Sequence, residues 1–276
     1  MMQFYIDDII KTALLEDVNY IDVAADNLLP DNQISTAKFL AKADGVLCGI
    51  DVALRVFELL GNFEMKKYKN DGDTLNKGDI IAEISGPTKL LLKGERTSLN
   101  LIQHMSGIAT MTNEAAELIK RTNATVADTR KTLPGLRALQ KYAVTCGGGK
   151  NHRFNLSDAA MLKDNHIDAC GSITKAVSTL REKIGHTVKV EVETRNLDEV
   201  KEALDTGCEI IMLDNMDCAT MKKAVEITNG KALLEASGNI TADTIRAVAE
   251  TGVDIISIGA ITHSVKAFDI SLKIVK

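Results

Sequence analysis

Val188-Lys189-Val190-Glu191-Val192-Glu193 opens a series in this chain. Ile210-Ile211-Met212-Leu213-Asp214, Ala232-Leu233-Leu234-Glu235-Ala236 and Ile255-Ile256-Ser257-Ile258-Gly259 follow it. The starts at 188, 210, 232 and 255 recur every 22–23 residues. Each run is short, largely apolar and bounded by polar or glycine residues, the pattern of a buried strand. Amphipathic helical stretches starting near Ser172, Leu197, Asp217 and Thr241 lie between the strands. Strands alternating with helices imply crossover connections and so a parallel sheet. Thr125–Asp128 and Ala160–Lys163 add two earlier strands, six in all. A closed eight-stranded barrel takes about 250 residues. The reading is therefore α/β, an incomplete (β/α) barrel with fewer than eight strands; an open doubly wound sheet is the alternative. The period is structural and repeats no sequence, so it is not a solenoid.

Upstream of these strands the texture changes. Ile6, Ile9, Ile10, Ala13 and Leu14 share one face of an opening helix. Short runs then alternate with acid–glycine turns: Thr36–Ala43, Asp44-Gly45, Val46–Cys48, Asp71-Gly72-Asp73, Lys77-Gly78-Asp79 and Ile80–Ile84. Turn chemistry at such intervals predicts antiparallel hairpins. A long helix is expected from about Gly94 to Lys120.

The 276 residues suffice for one large domain or two moderate ones. With 45% hydrophobic and 26% charged residues, wholesale disorder is excluded. Lys and Arg number 33 against 38 Asp and Glu, a net charge of −5, which argues against a nucleic-acid binder. With no Trp and 4% aromatics, stacking platforms for single strands are scarce. Cys48, Cys146, Cys170, Cys208 and Cys218 are odd in number and lack C-x-x-C spacing. They exclude a disulfide scaffold or a cysteine zinc site and read as small buried hydrophobes in a reducing cytosol. Met1–Asp8 carries two acids and no basic leader, so no signal peptide is expected. No apolar run approaches the roughly 20 residues of a membrane span. A soluble cytoplasmic protein is the expectation.

Polar residues gather at one end of the six strands. Arg130 and Lys131 follow the first, Lys163 and Asp164 the second, Glu193 ends the third and Asp214 the fourth. Glu235, Ser237 and Gly238 end the fifth, and Gly259 the sixth. In a barrel these points meet at the carboxyl-terminal face, where active sites lie. Arg130, Lys131, His152, Arg153 and Lys163 make a cationic mouth in an acidic protein, suited to a small, multiply anionic substrate. Glu193 and Asp214 add two hard oxygen ligands, a usual Mg²⁺ environment when joined by substrate phosphate. The glycine triplet of Cys146-Gly147-Gly148-Gly149-Lys150-Asn151-His152-Arg153 brings backbone N–H groups near an anion. Ser237-Gly238-Asn239 ahead of a helix near Thr241, and Gly259-Ala260 ahead of Ile261–Ser264, point to phosphate at helix N-termini. There is no Walker A or G-x-G-x-x-G, no H-E-x-x-H and no G-x-S-x-G. His166, His186 and Ser157 read as structural.

Seven segments then occur in order. They are Glu95-Arg96-Thr97-Ser98-Leu99-Asn100; Ser106-Gly107-Ile108-Ala109-Thr110; Asp128-Thr129-Arg130-Lys131-Thr132 with Pro134-Gly135-Leu136-Arg137; Gly147-Gly148-Gly149 with Asn151-His152-Arg153; Lys163-Asp164-Asn165-His166; Met212-Leu213-Asp214-Asn215; and Glu235-Ala236-Ser237-Gly238. Together they resemble the quinolinate phosphoribosyltransferase family over nearly the whole chain. The resemblance implies an N-terminal α/β sandwich domain at 1–105, with a tail of about 265–276 packing on it, and a barrel domain at 106–264. It implies a pentosyltransferase that converts quinolinate and phosphoribosyl pyrophosphate to nicotinate mononucleotide, CO₂ and pyrophosphate in de novo NAD biosynthesis, with Mg²⁺. It implies a homodimer, or a larger assembly, with a site shared across the interface.

By the same resemblance, Arg130, His152, Arg153 and Lys163 clamp the quinolinate carboxylates, and Arg96 joins them from the other subunit. Lys131 and Lys163 face phosphoribosyl pyrophosphate, and Glu193 and Asp214 face its ribose and Mg²⁺, directly or through water. Ser237, Gly238 and Gly259 hold the 5′-phosphate, with His263 nearby. Lys131, Lys163, Glu193 and Asp214 form the catalytic set. The spacing 214 − 193 = 21 favours Glu193 over Glu191, although alternation puts both glutamates on one face. The chain departs from the family pattern at 16–22, which lacks a Gly, and at His104, where Arg is frequent. The rival readings are a molybdenum-transport-associated relative of the same fold, a non-catalytic barrel binding phosphorylated metabolites, and an aldolase-type barrel using Lys163 as a Schiff base.

Overall fold

A computed structural model describes residues 3–275. Met1, Met2 and Lys276, which bound the expected domains and open the leader reading, lie outside the described residues. The chain forms two compact units. One comprises residues up to Asn113, Thr132–Gly148 and the chain from Thr262; the other comprises Glu114–Lys131 and Gly149–Ile261.

In the first unit, α1 (Gln3–Asp17), α2 (Val23–Leu28), β1 (Ile34–Ala41), β2 (Gly45–Val46), α3 (Ile50–Leu60), β3 (Glu64–Lys67), β4 (Thr74–Leu75) and β5 (Ile80–Pro87) precede the long α4 (Thr88–Ile119). β1 alternates buried Ala37, Phe39 and Ala41 with half-exposed residues, as a sheet with one covered face requires. That face packs on α3 through Ala53, Leu54 and Phe57, with Phe39 and Phe57 edge-to-face at 6.3 Å. α3 starts at Gly49, held at φ +94°, where Asp71 Oδ1 accepts from the N–H groups of Gly49 and Ile50 at 2.8 and 3.0 Å. A carboxylate there satisfies orphan donors and complements the helix dipole.

The antiparallel pairing expected here is present, but not as successive hairpins. The order is β12-β1-β5-β3, with β2 and β4 paired separately; β12 (Ile270–Ile274) returns from the chain's end to pair with β1. α3 was not anticipated, because its apolar run follows directly on a strand-like one. α4 begins six residues before Gly94. That glycine marks a close approach, since an added Cβ would lie 2.7 Å from Phe57 Cε1.

α5 (Arg137–Cys146) packs with this first unit. Two contacts hold it. Tyr142 Oη donates to Asp71 Oδ2 at 3.0 Å, and at Gly147 an added Cβ would lie 2.3 Å from the Ala109 carbonyl.

The second unit is a six-stranded sheet in the order β6-β11-β10-β9-β8-β7, every neighbour pair parallel. Its strands are β6 (Thr125–Ala127), β7 (Ala160–Leu162), β8 (Val190–Thr194), β9 (Ile210–Asp214), β10 (Leu233–Ser237) and β11 (Ile255–Ser257). The crossovers are α6 (Asp164–Cys170), α7 (Ile173–Arg181), α8 (Leu197–Asp205), α9 (Cys218–Thr228) and α10 (Ile245–Ala249); the short α11 (Ala260–His263) follows β11. Ser172, Asn196 and Asp217 cap α7, α8 and α9, where the sequence placed the helix starts. β6 and β7 end the order unpaired with each other, so this is the incomplete barrel expected from the strand count. Val190, Val192, Ile211, Leu213, Leu234 and Ala236 are buried. Glu191, Glu193, Met212, Asp214, Glu235, Ser237 and Ser257 alternate with them on the cavity-lining face.

α10 departs from expectation. It has five residues and starts at Ile245, not Thr241, because residues 242–244 form a turn. With α11 only four residues long, neither late strand opens a helix of useful dipole.

Candidate active site

A cavity of about 340 Å³ lies at the carboxyl ends of the parallel strands. Arg130, Lys131, His152, Arg153, Lys163, Glu193, Asp214 and Ser237 line it, bringing together eight of the residues read from sequence. Asp128, fully buried beyond β6, sets part of this geometry. Its Oδ1 accepts from the His152 N–H at 2.8 Å, and its own N–H donates to the Lys150 carbonyl, pinning residues 150–152 to the strand end. Arg153 then donates from Nη1 to the Ala159 carbonyl at 2.9 Å.

Burial, and next the charge of Arg130, hold the Arg153 guanidinium below its ordinary pKa; Glu191 pulls the other way. Two guanidiniums converging on a partly dry cavity favour a bound anion, since buried charge must be paired. Lys163 follows β7 as the cap of α6 and pairs Nζ with Glu193 Oε2 at 3.0 Å. His166 Nδ1 accepts from the Lys163 N–H at 3.0 Å, the structural role read for it. Asp214 ends β9 and accepts from Asn215 Nδ2 at 2.9 Å.

Gly238, at φ +102°, closes on Asn215; an added Cβ would lie 2.2 Å from Asn215 Oδ1. The Asn215 N–H also donates to the Ser237 carbonyl at 2.9 Å, locking the turns after β9 and β10 together.

Other expected residues are not among those that line this cavity. Arg96 is exposed on α4 and His263 is exposed with Nδ1 2.7 Å from Ser264 Oγ, both in the first unit. Gly259 follows β11 outside the cavity lining. The glycine triplet lines neither this cavity nor the one at the strands' amino ends, and Gly147 closes α5 against the Ala109 carbonyl. The helices that follow these turns are short, five residues in α10 and four in α11.

Sequence reasoning passed over one feature. Glu191 and Glu235 are both buried, and His152 Nε2 lies 3.0 Å from Glu191 Oε2 and 3.5 Å from Glu235 Oε1. The signal was present: a glutamate inside the apolar run Leu233-Leu234-Glu235-Ala236. Below this trio a second cavity, of about 610 Å³, opens at the strands' amino ends between Thr125, Lys189, Ile210 and Ile255.

The donor set suits Mg²⁺ at one place. Glu193 and Asp214 end adjacent strands on one cavity and offer only oxygen, leaving room for the waters and phosphate oxygens that Mg²⁺ retains. The buried trio, which includes a nitrogen donor already paired with Glu191, does not suit it.

Fold and mouth together define an anion-handling α/β barrel protein with its chemistry at the strand carboxyl ends. Residues 22–106 match the description "Quinolinate phosphoribosyl transferase, N-terminal domain", and 108–273 match its C-terminal domain. A probable nicotinate-nucleotide pyrophosphorylase [carboxylating] of Bacillus subtilis is 45% identical over 94% of this chain and 90% of its own. A quinolinate phosphoribosyltransferase [decarboxylating] of Nicotiana tabacum is 44% identical over 97% and 81%. The crystal structure of NadC from Streptococcus pyogenes, 42% identical, superposes with a TM-score of 0.96 over 100% of this chain and 99% of that one. The chain belongs to the quinolinate phosphoribosyl transferase family.

Proposed function

We propose that the chain transfers the phosphoribosyl group of phosphoribosyl pyrophosphate to quinolinate with loss of CO₂. The products are nicotinate mononucleotide and pyrophosphate, for de novo NAD biosynthesis. The observation that carries this reading is the meeting of Arg130, Lys131, Arg153 and Lys163 with Glu193 and Asp214 around one cavity. A dicarboxylate and a pyrophosphate need that density of cations, and a cationic sugar needs carboxylates beside them.

In this reading Arg130 and Arg153 fork onto the quinolinate carboxylates. His152, with Nδ1 accepting from the Arg153 N–H at 2.7 Å and Nε2 turned to Glu191, shapes the clamp from below. Arg96 completes the clamp from a second subunit of a homodimer. Lys131 and Lys163 balance the departing pyrophosphate, and Glu193 and Asp214 stabilise positive charge building on the ribose. Ser237 and Gly238 take the 5′-phosphate through the turn after β10; Gly259 and His263 are assigned to the same end by the family pattern. Glu193 and Asp214 would hold Mg²⁺, which when bound supplies charge to the leaving pyrophosphate. The pyridine nitrogen attacks C1 of the ribose, and the ring's positive charge then draws electrons from the C2 carboxylate as CO₂ leaves. Five free cysteines fit a reducing cytoplasm, and no described helix is long and apolar enough to cross a membrane.

The test is formation of nicotinate mononucleotide by purified protein given quinolinate, phosphoribosyl pyrophosphate and Mg²⁺, with nicotinate replacing quinolinate as control. Turnover with quinolinate alone is expected. Turnover with nicotinate alone, or none by folded protein, overturns the reading.

A further inference from the structure

Barrel interiors are normally closed by layers of branched apolar side chains. Here the layer beneath the mouth holds Glu191 on β8, Glu235 on β10 and Ser257 on β11, all buried. Glu235 lies two residues before Ser237, which lines the mouth, so it sits deeper on the same face. Apart from the 3.5 Å approach of His152 and the pull of the neighbouring Ser257 hydroxyl, Glu235 Oε1 finds no hydrogen-bond partner among the described residues. A polar atom so sparsely paired at the floor of a substrate cavity points to a partner that arrives with substrate.

Two carboxylates this close in a dry interior do not both stay ionised. Burial, then the Glu191 charge, pushes the Glu235 carboxyl up to about 7, with His152 pulling it down and Asp128 pushing it further up. Those three act on it most among the charged groups; β9 offers Met212, β11 offers Ser257, whose hydroxyl also pulls it down, and Arg153, Lys189 and Asp254 line the same lower cavity. Glu235 thus holds a proton near neutral pH, where an acid catalyst is most effective. Lys163, the cation across the mouth, is already paired with Glu193.

We propose that Glu235 is the acid that delivers the proton to C2 of the pyridine ring once CO₂ has left, an assignment that rests on the reaction read above. The C2–carboxylate bond breaks, CO₂ departs and its bonding pair stays on C2. That pair takes the proton from Glu235, forming C2–H and leaving a carboxylate. Solvent water restores the proton. Glu235 also lines the cavity at the strands' amino ends, which gives that proton a route away from the substrate.

The experiment is single-turnover formation of nicotinate mononucleotide by full-length protein with Mg²⁺, comparing wild type with Glu235→Gln and Glu235→Asp. Glu235→Gln is expected to slow product formation at least thirtyfold, with quinolinate and phosphoribosyl pyrophosphate dissociation constants within twofold of wild type. Glu235→Asp should recover part of the rate. The wild-type rate should fall as pH rises through about 7, and Glu235→Gln should lack that limb. A Glu235→Gln rate within threefold of wild type, or an unchanged alkaline limb, overturns this assignment alone. Loss of substrate binding in both variants assigns Glu235 to architecture and also overturns it. A wild type inactive on quinolinate overturns the reaction itself.

Discussion

Arg130 and Arg153 show why charge at the mouth is a binding device. Burial and then the Arg130 charge lower the Arg153 pKa, a penalty that an anion bound at the proposed site would offset. Replacing Arg130 by Ala should raise the quinolinate KM by roughly ten- to hundredfold, the worth of a charge-assisted fork, with a smaller effect on kcat. Steady-state kinetics at saturating phosphoribosyl pyrophosphate checks it. Glu235 makes the opposite bargain with stability. Its folded-state pKa of about 7 lies above the ordinary 4.5, so the folded chain binds more protons than the unfolded chain between those values. Stability therefore falls as pH rises through that window, by about 3 kcal/mol at most. Glu235→Gln removes the penalty, so its gain in Tm over wild type should be larger at pH 8 than at pH 5 by thermal denaturation.

At the scale of elements, strand ends do the positioning and turns hold them. Gly238→Ala must put a Cβ where Asn215 Oδ1 sits, at a φ that L residues rarely adopt. A cost of about 1–3 kcal/mol is expected for such strain. The phosphoribosyl pyrophosphate KM should rise while the quinolinate KM changes little, measured by varying each substrate in turn. The sequence made the parallel half legible because each strand reads as an apolar run ending in a polar residue, so Lys163, Glu193 and Asp214 could be placed by counting. The antiparallel half was less so. Pairing of β1 with β5 and β12 spans stretches that no local signal reports, and the helix start expected near Gly94 falls six residues late, because that glycine is a packing notch for Phe57 inside the helix. Asp128 and the Glu191–Glu235 pair escaped for a related reason. Their roles depend on which chain segment crosses beside them, and that is a property of the folded layer.

At the scale of the whole molecule, the proposed shared site predicts complementation. Arg96→Ala and Lys163→Ala proteins should each be nearly inactive. After subunit exchange, half the dimers carry one intact site of two, so about a quarter of wild-type activity should return. No recovery in exchanged dimers would remove Arg96 from the partner's site. The return of β12 to pair with β1 has a further consequence, for synthesis. Residues 125–257 supply every strand of the parallel sheet, whereas the antiparallel sheet draws its strands from 34–87 and again from 270–274. The earlier unit, translated first, cannot seal its sheet until Ile274 has cleared the exit tunnel. Until then β1 offers an open edge to any neighbouring nascent chain. The order of translation and the order of completion are inverted, and the half made first waits longest in need of a chaperone.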